Sequence, residues 1–355
     1  MASATALLIT RDDLLLDELL RLAAAAGCAL EVAHDPAAGL RGWATSCVVV
    51  VGADLVGSVG EQRPPRRDRV HVVGYGQVPD DVFRGALAVG AADVVELPAA
   101  EAWLVDLLTD AADAADGLQP GRARTLGVVG GSGGVGATTF ACALALTAAA
   151  RQRATLVDLD PLGPGVDRVV GLDGASGVRW DGLLASPGRL SSRSLRAALP
   201  AREALTVLTW GMGAPVGLDA ATVREVLSAT QRGNDVVVVD LPRALDDLTA
   251  EVAARCDRVL LVAEATIPGV ASAGKTAAVL RRLSTRLAVV VRTGRGTLPE
   301  EQVAAALDLP LVASLARHRR LAEHVDLGLG PVHGVRSPLA RAARAALAML
   351  PERAA

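Results

Sequence analysis

The sequence predicts an α/β protein made of two consecutive domains, each with a doubly wound, mainly parallel sheet. Three observations predict this class. Short β-branched runs alternate along the chain with amphipathic segments at helical spacing, which is typical of βα units. The length of 355 residues corresponds to about two ordinary domains. A stretch of small, charged, Gly and Pro residues, AADAADGLQPGRAR at 111–124, separates two such series.

The first predicted domain covers residues 1–112 and contains five strands that alternate with helical segments. The strands are predicted at residues 6–10, 29–33, 47–51, 70–73 and 93–96. The third strand, CVVVV, is an unbroken apolar run, which indicates a central parallel strand buried on both faces. Helices are predicted after Asp12 and Asp13 and at residues 36–43, 81–89 and 101–110. Five βα units in this order favour a flavodoxin-like sheet.

The second predicted domain covers residues 125–355 and follows a linker at 113–124. Its strands are predicted at residues 125–129, 154–159, 205–208, 235–240, 258–262, 287–291 and 311–314. Apolar helical segments lie between most of these strands. The alternation again predicts a doubly wound sheet that is mainly parallel.

The composition excludes several classes of function. Lys and Arg number 36 against 39 Asp and Glu, so the net charge of -3 argues against general binding to nucleic-acid phosphates. Aromatic residues make up 2% of the chain, too few for base-stacking platforms. The cysteines form no CxxC pair, which argues against a zinc site (Cys28, Cys47, Cys142 and Cys256). No apolar run approaches the ~20 residues of a transmembrane helix and no signal peptide is recognised, so we expect a cytoplasmic protein.

A glycine-rich turn carries the strongest functional signal. Residues 126–139, LGVVGGSGGVGATT, place it between a predicted strand and the helix FACALALTAAA. In that context backbone N–H groups and a helix N-terminus bind phosphates, and a hydroxyl such as that of Thr138 binds Mg²⁺. The candidate nucleotide-binding residues are Gly131, Ser132, Gly133, Gly134, Val135, Gly136, Ala137, Thr138 and Thr139. The alternative is a turn that serves only the packing of strand against helix.

The turn departs from the phosphate-binding pattern GxxxxGK[ST] at one position. Counted from Gly131, the lysine position is Ala137. The loop therefore keeps its backbone donors but loses the cation that neutralises the β- and γ-phosphates. We expect weak nucleotide binding and still weaker hydrolysis, because negative charge grows in the transition state.

A complete match to the same pattern occurs at residues 269–276, GVASAGKT. It contains Lys275, the one lysine of the chain. We interpret it as a chance match, because the segment is rich in alanine and continues into a helix predicted at 271–283. Lys275 would then lie on a helix surface.

Two acidic motifs follow predicted strands. Residues 156–161, LVDLDP, place carboxylates after the strand that follows the glycine-rich turn, and the run VVVV is followed by Asp240. An acid in that place holds Mg²⁺ through water, so Asp240 and Thr138 are the predicted metal ligands. The alternative is that each acid caps a helix or forms a turn. Arg243 is either a substitute for the missing cation or a solvated surface residue.

Together, SGGVGATT, LVDLDPLG and VVVVDLPR resemble the deviant Walker A ATPases of the MinD/ParA superfamily, over about residues 125–350. The resemblance implies ATP and Mg²⁺ as ligands and a homodimer. It implies that Asp160 orients the attacking water as a catalytic acid and that Asp240 is linked to Mg²⁺. Ser132 stands where the family has the lysine that reaches across the dimer, and Ala137 where it has the P-loop lysine. Both replacements imply weak or absent ATP binding and hydrolysis.

The order of a receiver-like domain and a MinD-like domain is similar to that of CpaE pilus-assembly proteins. The loop GGSGGVGAT resembles that of the actinobacterial CpaE-like group of septum site-determining (Ssd) proteins. This resemblance implies a role in septum-site determination and cell-division control or in Tad-type pilus and secretion localisation. It implies protein partners from those machineries and a peripheral location at the septum or pole. DNA is not an expected partner.

The first domain resembles response-regulator receivers but lacks their reactive residues. Gly52 stands where the strand would present the phosphorylated aspartate, Asp54 comes two residues later, and Leu97 takes the place of the receiver lysine. Asp12 and Asp13 either resemble the Mg²⁺-binding acids of a receiver or cap the following helix. Phosphorylation needs all these groups together, so we expect a pseudo-receiver that serves protein contacts.

The C-terminal segment at 338–350, PLARAARAALAML, is amphipathic. MinD proteins end in a membrane-targeting helix, but this segment has two arginines and no aromatic residue. A helix docked on the sheet is therefore the preferred interpretation.

Two alternative functions stay open. The first is an active ATPase in which an arginine or Lys275 replaces the lost cation, and the second is a ParA-type DNA-partitioning ATPase, which the net charge disfavours.

Overall fold

The computed structural model describes residues 5–115, 123–183, 190–213, 217–283, 286–294, 297–316, 319–332, 334 and 336–350. The chain divides into two compact units, Met1–Pro120 and Gly121–Ala355, and this division falls inside the predicted linker. The last helix of the first unit continues to Ala115, so the predicted linker begins as helix. Residues 116–122 of that linker lie outside the described part of the chain.

The first unit is a five-stranded parallel sheet with helices on both faces. Its strands are β1 (Ala6–Ile9), β2 (Leu30–Ala33), β3 (Val48–Gly52), β4 (Val70–Tyr75) and β5 (Asp93–Leu97). Its helices are α1 (Asp13–Ala26), α2 (Pro36–Gly42), α3 (Val56–Glu61), α4 (Asp80–Val89) and α5 (Glu101–Ala115). The strand order β2-β1-β3-β4-β5 is the flavodoxin-like order, which confirms the predicted fold class.

The apolar run of β3 explains why this sheet is covered on both faces. Val48 and Val50 pack in one cluster with side chains of α1 and α5, whereas Val49 and Val51 pack in a second cluster with Trp43. Each of the four valines is at most 1% exposed. Successive side chains of a strand point to opposite faces, so a strand buried on both has to be apolar at every position.

The second unit is an eight-stranded sheet that is parallel except at one edge. Its strands are β6 (Arg124–Gly130), β7 (Ala154–Asp158), β8 (Ala201–Arg202), β9 (Leu205–Leu208), β10 (Val236–Leu241), β11 (Arg258–Glu264), β12 (Leu287–Thr293) and β13 (Leu311–Ala316). The order is β13-β12-β11-β6-β10-β7-β9-β8, and only β8 pairs antiparallel. The sheet confirms the predicted mainly parallel architecture, although the two-residue strand β8 is not predicted.

Ten helices of this unit lie within the described residues. They are α6 (Ala137–Ala149), α7 (Val166–Val169), α8 (Trp180–Leu183), α9 (Ser192–Ala198), α10 (Ala220–Gly233), α11 (Asp247–Ala254), α12 (Ile267–Arg281), α13 (Glu300–Leu307), α14 (Leu321–Asp326) and α15 (Pro338–Ala348). α12 starts four residues earlier than predicted, because Thr266 caps it by accepting a hydrogen bond from the backbone N–H of Gly269.

Helix α6 is buried between the sheet and the C-terminal helix. Phe140 and Leu144 of α6 are fully buried in the same cluster as Ala342, Ala343 and Ala346 of α15. The small side chains of both helices allow this close packing. The C-terminal helix is therefore docked on the second unit. In the described part of the chain, no helix combines the length and apolar character needed to cross a bilayer.

The strand order fixes where a ligand site can form. β6 lies between β11 and β10, and the carboxyl ends of the parallel strands meet at one edge of the sheet. In doubly wound sheets ligands bind at this edge, where neighbouring connections leave in opposite directions. The loop after β6 lies there.

Candidate functional site

The glycine-rich loop connects β6 to α6. Gly134 has a φ of +69° and Gly136 a φ of +96°, a left-handed backbone that residues with a Cβ atom rarely adopt. Gly136 directly precedes α6, whose first N–H groups have no acceptor within the helix. The turn brings these donors and the positive end of the helix dipole together, which is the geometry of an anion-binding loop.

Helix α12 supports the loop from behind. Ser272 Oγ donates a hydrogen bond of 2.5 Å to the Gly131 carbonyl oxygen. A Cβ atom at Gly131 would lie 2.7 Å from Ala273 Cβ, so α12 can approach this closely only because the residue is glycine. The second GxxxxGK[ST] match lies inside this helix and forms no phosphate-binding loop. Lys275 is exposed on the helix surface.

The loop is open at its tip and has alanine and serine at the two lysine positions. Ala137 is the first residue of α6, and Ser132 is half-buried in the loop. A Cβ atom at Gly133 would meet no heavy atom within 4 Å. The backbone of a phosphate-binding loop is therefore present without either ammonium group.

Two buried carboxylates lie on the β10 and β7 flank of the loop. Asp158 and Asp240 are opposite each other in the register of these strands and are 1% and 2% exposed. Burial, with a smaller contribution from the Asp158 charge, raises the pKa of Asp240 to about 8. A hydrogen bond from the Thr138 hydroxyl opposes this rise in pKa. The structure thus brings together the two residues predicted to bind Mg²⁺.

Asp158, to which the sequence motifs assign no role, organises the turn after β7. Its carboxylate accepts hydrogen bonds from Thr209 Oγ1 at 2.7 Å and from the Asp160 backbone N–H at 3.0 Å. Burial nevertheless raises the pKa of Asp158 to about 6. The Trp180 indole N–H donates to the Asp158 carbonyl oxygen at 2.7 Å. Asp160 itself is half-buried, and its charge contributes to the raised pKa values of Asp158 and Asp240.

A cavity of about 1100 Å³ opens on the opposite flank of the loop. It is lined by the loop, the carboxyl ends of β12 and β13, and residues of α14 and α15. Arg292 of β12 lines this cavity, and its Nη1 donates a hydrogen bond of 2.8 Å to the Gly134 carbonyl oxygen. No motif points to Arg292, although an arginine directly after the strand predicted at 287–291 is a usable signal at this edge of the sheet.

The two cations that the sequence offers as substitutes for the lysine lie elsewhere. Arg243 is exposed after β10 and does not line the cavity, and Lys275 is exposed on α12. Of the described residues that line the cavity, the cationic ones are Arg292 and Arg319.

The corresponding edge of the first unit is filled. A Cβ atom at Gly52, the last residue of β3, would overlap Asp54 Oδ1 and lie 2.6 Å from Thr10 Oγ1. The Asp54 carboxylate accepts a hydrogen bond of 2.8 Å from Thr10 Oγ1. Leu97 is buried, and Asp12 caps α1 by accepting from two backbone N–H groups of its first turn. The unit has the fold of a receiver without its phosphorylation site.

Comparison with known protein families gives a separate match for each of the two units. A family model described as an Rv3660c-like, CheY-like N-terminal domain matches residues 9–119, and a model described as a NUBPL iron-transfer P-loop NTPase matches residues 122–300. These matches and the loop define the class as a MinD/ParA-like P-loop NTPase with a CheY-like N-terminal domain. The chain is 38% identical over 341 residues to the protein Rv3660c of Mycobacterium tuberculosis (strain ATCC 25618 / H37Rv), covering 94% of this chain and 95% of the relative. It belongs to the family of Rv3660c.

Solved structures show the same fold. The ParA family ATPase of Chlorobium tepidum TLS has a TM-score of 0.57 at 16% identity, covering 64% of this chain and 98% of the other. MinD of Pyrococcus horikoshii OT3, complexed with Mg-ADP, has a TM-score of 0.54 at 20% identity over 63% and 93%. The MinC:MinD complex of Aquifex aeolicus gives 0.54 at 18% identity over 65% and 99%. At these identities the likeness shows the fold alone.

Proposed function

We propose that this protein is a regulatory MinD-like protein that binds an adenine nucleotide weakly with Mg²⁺ and hydrolyses it slowly or not at all. It acts by positioning protein partners. One observation carries the proposal: the phosphate-binding loop is intact and open, while Ala137 and Ser132 stand at both lysine positions. Backbone donors and a helix dipole still attract an anion, which supports binding.

The residues present fit a nucleotide with Mg²⁺. The Thr138 hydroxyl and the Asp240 carboxylate are oxygen ligands of the kind that Mg²⁺ prefers, and the Thr138 hydroxyl lies near enough to lower the raised pKa of Asp240. The cavity beside the loop is large enough for a nucleoside. Mg²⁺, when bound, would supply positive charge next to the buried pair Asp158 and Asp240. The MinD of Pyrococcus horikoshii is complexed with Mg-ADP, which supports this class of ligand.

Hydrolysis is the activity that the lysine replacements weaken most. A cation at the β- and γ-phosphates stabilises the charge that develops in the transition state more than the charge of the bound substrate. Ala137 supplies no such charge, although the motif resemblance implies that Asp160 is the acid that would orient the attacking water. Binding without efficient turnover is the expected result.

The proposed biological setting is septum-site determination and cell-division control, or the localisation of a Tad-type pilus or secretion system. The motif resemblance to CpaE-like and Ssd proteins supports it, as does the fold likeness to a MinD that assembles with MinC. The proposal includes protein partners from these machineries, a homodimer, and a cytoplasmic location with peripheral attachment at the septum or pole. In the first unit, Asp54 and Thr10 occupy the sheet edge where a receiver would be phosphorylated, which supports a role in protein contacts.

Calorimetry of the purified full chain with Mg-ATP tests the proposal. We expect weak binding that Thr138→Ala abolishes and that Thr147→Ala, a matched change farther along α6, leaves unchanged. ATP turnover should be far below that of an active ATPase. Turnover at the rate typical of MinD/ParA ATPases that is lost in Asp160→Ala would contradict the loss of hydrolysis. Absence of binding at millimolar Mg-ATP would contradict the nucleotide part of the proposal.

A further inference from the structure

Arg292 is the arginine that the structure brings into hydrogen-bond contact with the phosphate-binding loop. Its Nη1 donates to Gly134 O at 2.8 Å, and a Cβ atom at Gly136 would lie 3.8 Å from the same nitrogen. These are the two loop residues with left-handed backbone. The guanidinium is therefore positioned beside the turn of the loop that directly precedes α6.

The charge of Arg292 is not balanced within the described part of the chain. No carboxylate of the described residues lies within ion-pair distance of its guanidinium, although Glu264 is its register neighbour on β11. A guanidinium has five N–H donors, and the bond to Gly134 O uses Nη1 alone. The remaining donors are available to an anion in the cavity that Arg292 lines.

Arg292 and the acids lie on opposite flanks of the loop. β12 is separated from β6 by β11 on one side, whereas β10 and β7, which carry Asp240 and Asp158, lie on the other. The cavity lies on the Arg292 flank, so a nucleotide with its base in the cavity would extend its phosphates past the guanidinium onto the loop.

We propose that the Arg292 guanidinium supplies the positive charge for the phosphate chain of a nucleotide, in place of the two missing lysines. This inference rests on the proposed nucleotide binding and deepens it. In this proposal the cation comes from the carboxyl end of β12, on the side of the loop where the cavity lies. Neither Arg243 nor Lys275 has this role. Arginine suits the position because its planar fork binds phosphate oxygens while one nitrogen holds the loop carbonyl.

Binding of ADP and of adenosine to the full chain tests this inference, with affinities from calorimetry and from ligand-observed NMR competition. The main variant is Arg292→Gln, whose amide can still donate to Gly134 O but carries no charge. We expect its ADP affinity to fall about 10- to 100-fold, the effect of losing a charge-assisted hydrogen bond, with adenosine affinity changed less than about twofold. Arg292→Lys should recover part of the ADP affinity.

Arg341→Ala is the matched control, because Arg341 lines a neighbouring cavity with Thr293 and Ser314 and has no hydrogen bond to the loop. It should leave ADP affinity unchanged. Rising salt should weaken ADP binding more in the parent protein than in Arg292→Gln. Hydrogen exchange of β12 peptides in the apo variants checks that the fold is retained.

Three outcomes would overturn the inference. Equal ADP affinity of Arg292→Gln and the parent protein would show that the charge is not used. Equal losses for ADP and adenosine would show that Arg292 shapes the loop or contacts the base instead of the phosphates. A parent protein that binds neither ligand at millimolar concentration would remove the proposed function itself, which the other two outcomes leave intact.

Discussion

Both units lack, at the carboxyl edge of a parallel sheet, reactive residues that the motif resemblances would place there, but only the edge of the first unit is filled by neighbouring side chains. In the first unit, Asp54 and Thr10 occupy the space next to Gly52 and bind each other. In the second unit, the loop stays open at Gly133 and a cavity lies beside it. The same kind of replacement is therefore found in two different local structures.

The difference suggests a criterion for telling a sheet edge that binds no ligand from one that still binds a ligand. Closing an edge with a hydrogen-bonded pair satisfies its polar groups and stabilises the fold. Keeping Asp240 buried beside Asp158 costs folding free energy, because no cation among the described residues pairs with either carboxylate. Such costs are typical of functional sites, which supports the ligand binding proposed for the second unit.

The largest expected difference is in how the stability of the second unit depends on pH. The pKa of Asp240 is raised from 3.8 to about 8 in the folded state. Its contribution to the free energy of unfolding is therefore highest below pH ~4 and falls as the pH rises through 8. Since a tenfold change in proton affinity is worth about 1.4 kcal/mol, the expected loss is several kcal/mol. Asp240→Asn should remove most of it.

Urea-dependent hydrogen exchange of β10 peptides at pH 6, pH 7 and pH 9 measures the part of this loss that occurs above pH 6 in the second unit of the full chain. Asp158→Asn serves for comparison, because the pKa of Asp158 is about 6 and its own contribution is lost mainly below pH 7. That variant should still lose stability between pH 7 and pH 9, but less than the parent protein, because the Asp158 charge contributes to the raised pKa of Asp240. A parent protein equally stable at pH 6 and pH 9 would contradict the prediction.

Restoring the receiver aspartate should destabilise the first unit. In Gly52→Asp the new Cβ atom would overlap the Asp54 carboxylate, and Thr10 Cβ is only 2.8 Å away. We expect a loss of about 2 kcal/mol from overpacking, measured by hydrogen exchange of β3 peptides. Gly57→Asp is the matched control, since a Cβ atom there meets no heavy atom within 4 Å. Unchanged stability of Gly52→Asp would show that this edge is still open.

Restoring the P-loop lysine should have the opposite outcome, because the second site is open. Ala137→Lys is expected to tighten Mg-ATP binding about tenfold, the effect of one charge-assisted hydrogen bond to phosphate. Calorimetry measures the affinity, and Ala150→Lys adds the same charge at the exposed far end of α6 as a control. If both variants bind Mg-ATP like the parent protein, the loop does not present phosphates to this position.

The smallest expected effect concerns the support of the loop by α12. Ser272→Ala removes the hydrogen bond to the Gly131 carbonyl oxygen and should cost about 1 kcal/mol of local stability. Faster hydrogen exchange in peptides from the glycine-rich loop measures it. Thr276→Ala, which removes a bond within α12, should leave that exchange unchanged. Equal exchange in both variants would mean that the loop keeps its shape without α12.

Much of the fold follows from local sequence patterns. The run VVVV predicts β3 because burial on both faces requires an apolar residue at every position, and GGSGGVGATT predicts the loop because its backbone needs glycine. Helix α3 is not predicted, because VGSVGE contains two glycines and buries only Val56 and Val59. Strand β8 is too short for any alternation to show.

The sequence predicts those residues of the candidate site that a single local motif identifies. The glycine-rich turn predicts Thr138 and the end of a strand predicts Asp240, and in the structure the Thr138 hydroxyl lowers the raised pKa of Asp240. The hydrogen bond between Arg292 and Gly134 joins residues 158 positions apart. It depends on the order β12-β11-β6, which periodicity within a segment does not specify. The role of Asp158 likewise depends on partners such as Thr209, 51 positions away.

The exposed Lys275 on α12 has a practical consequence. It is the one side-chain amine in the chain, so an amine-reactive dye applied under conditions that spare the N-terminus will label a single side chain. That position lies one turn from Ser272, whose hydroxyl holds the Gly131 carbonyl. A dye at Lys275 would report changes in the glycine-rich loop from the helix that packs against it. No cysteine would have to be engineered, and the four native thiols could be left unmodified.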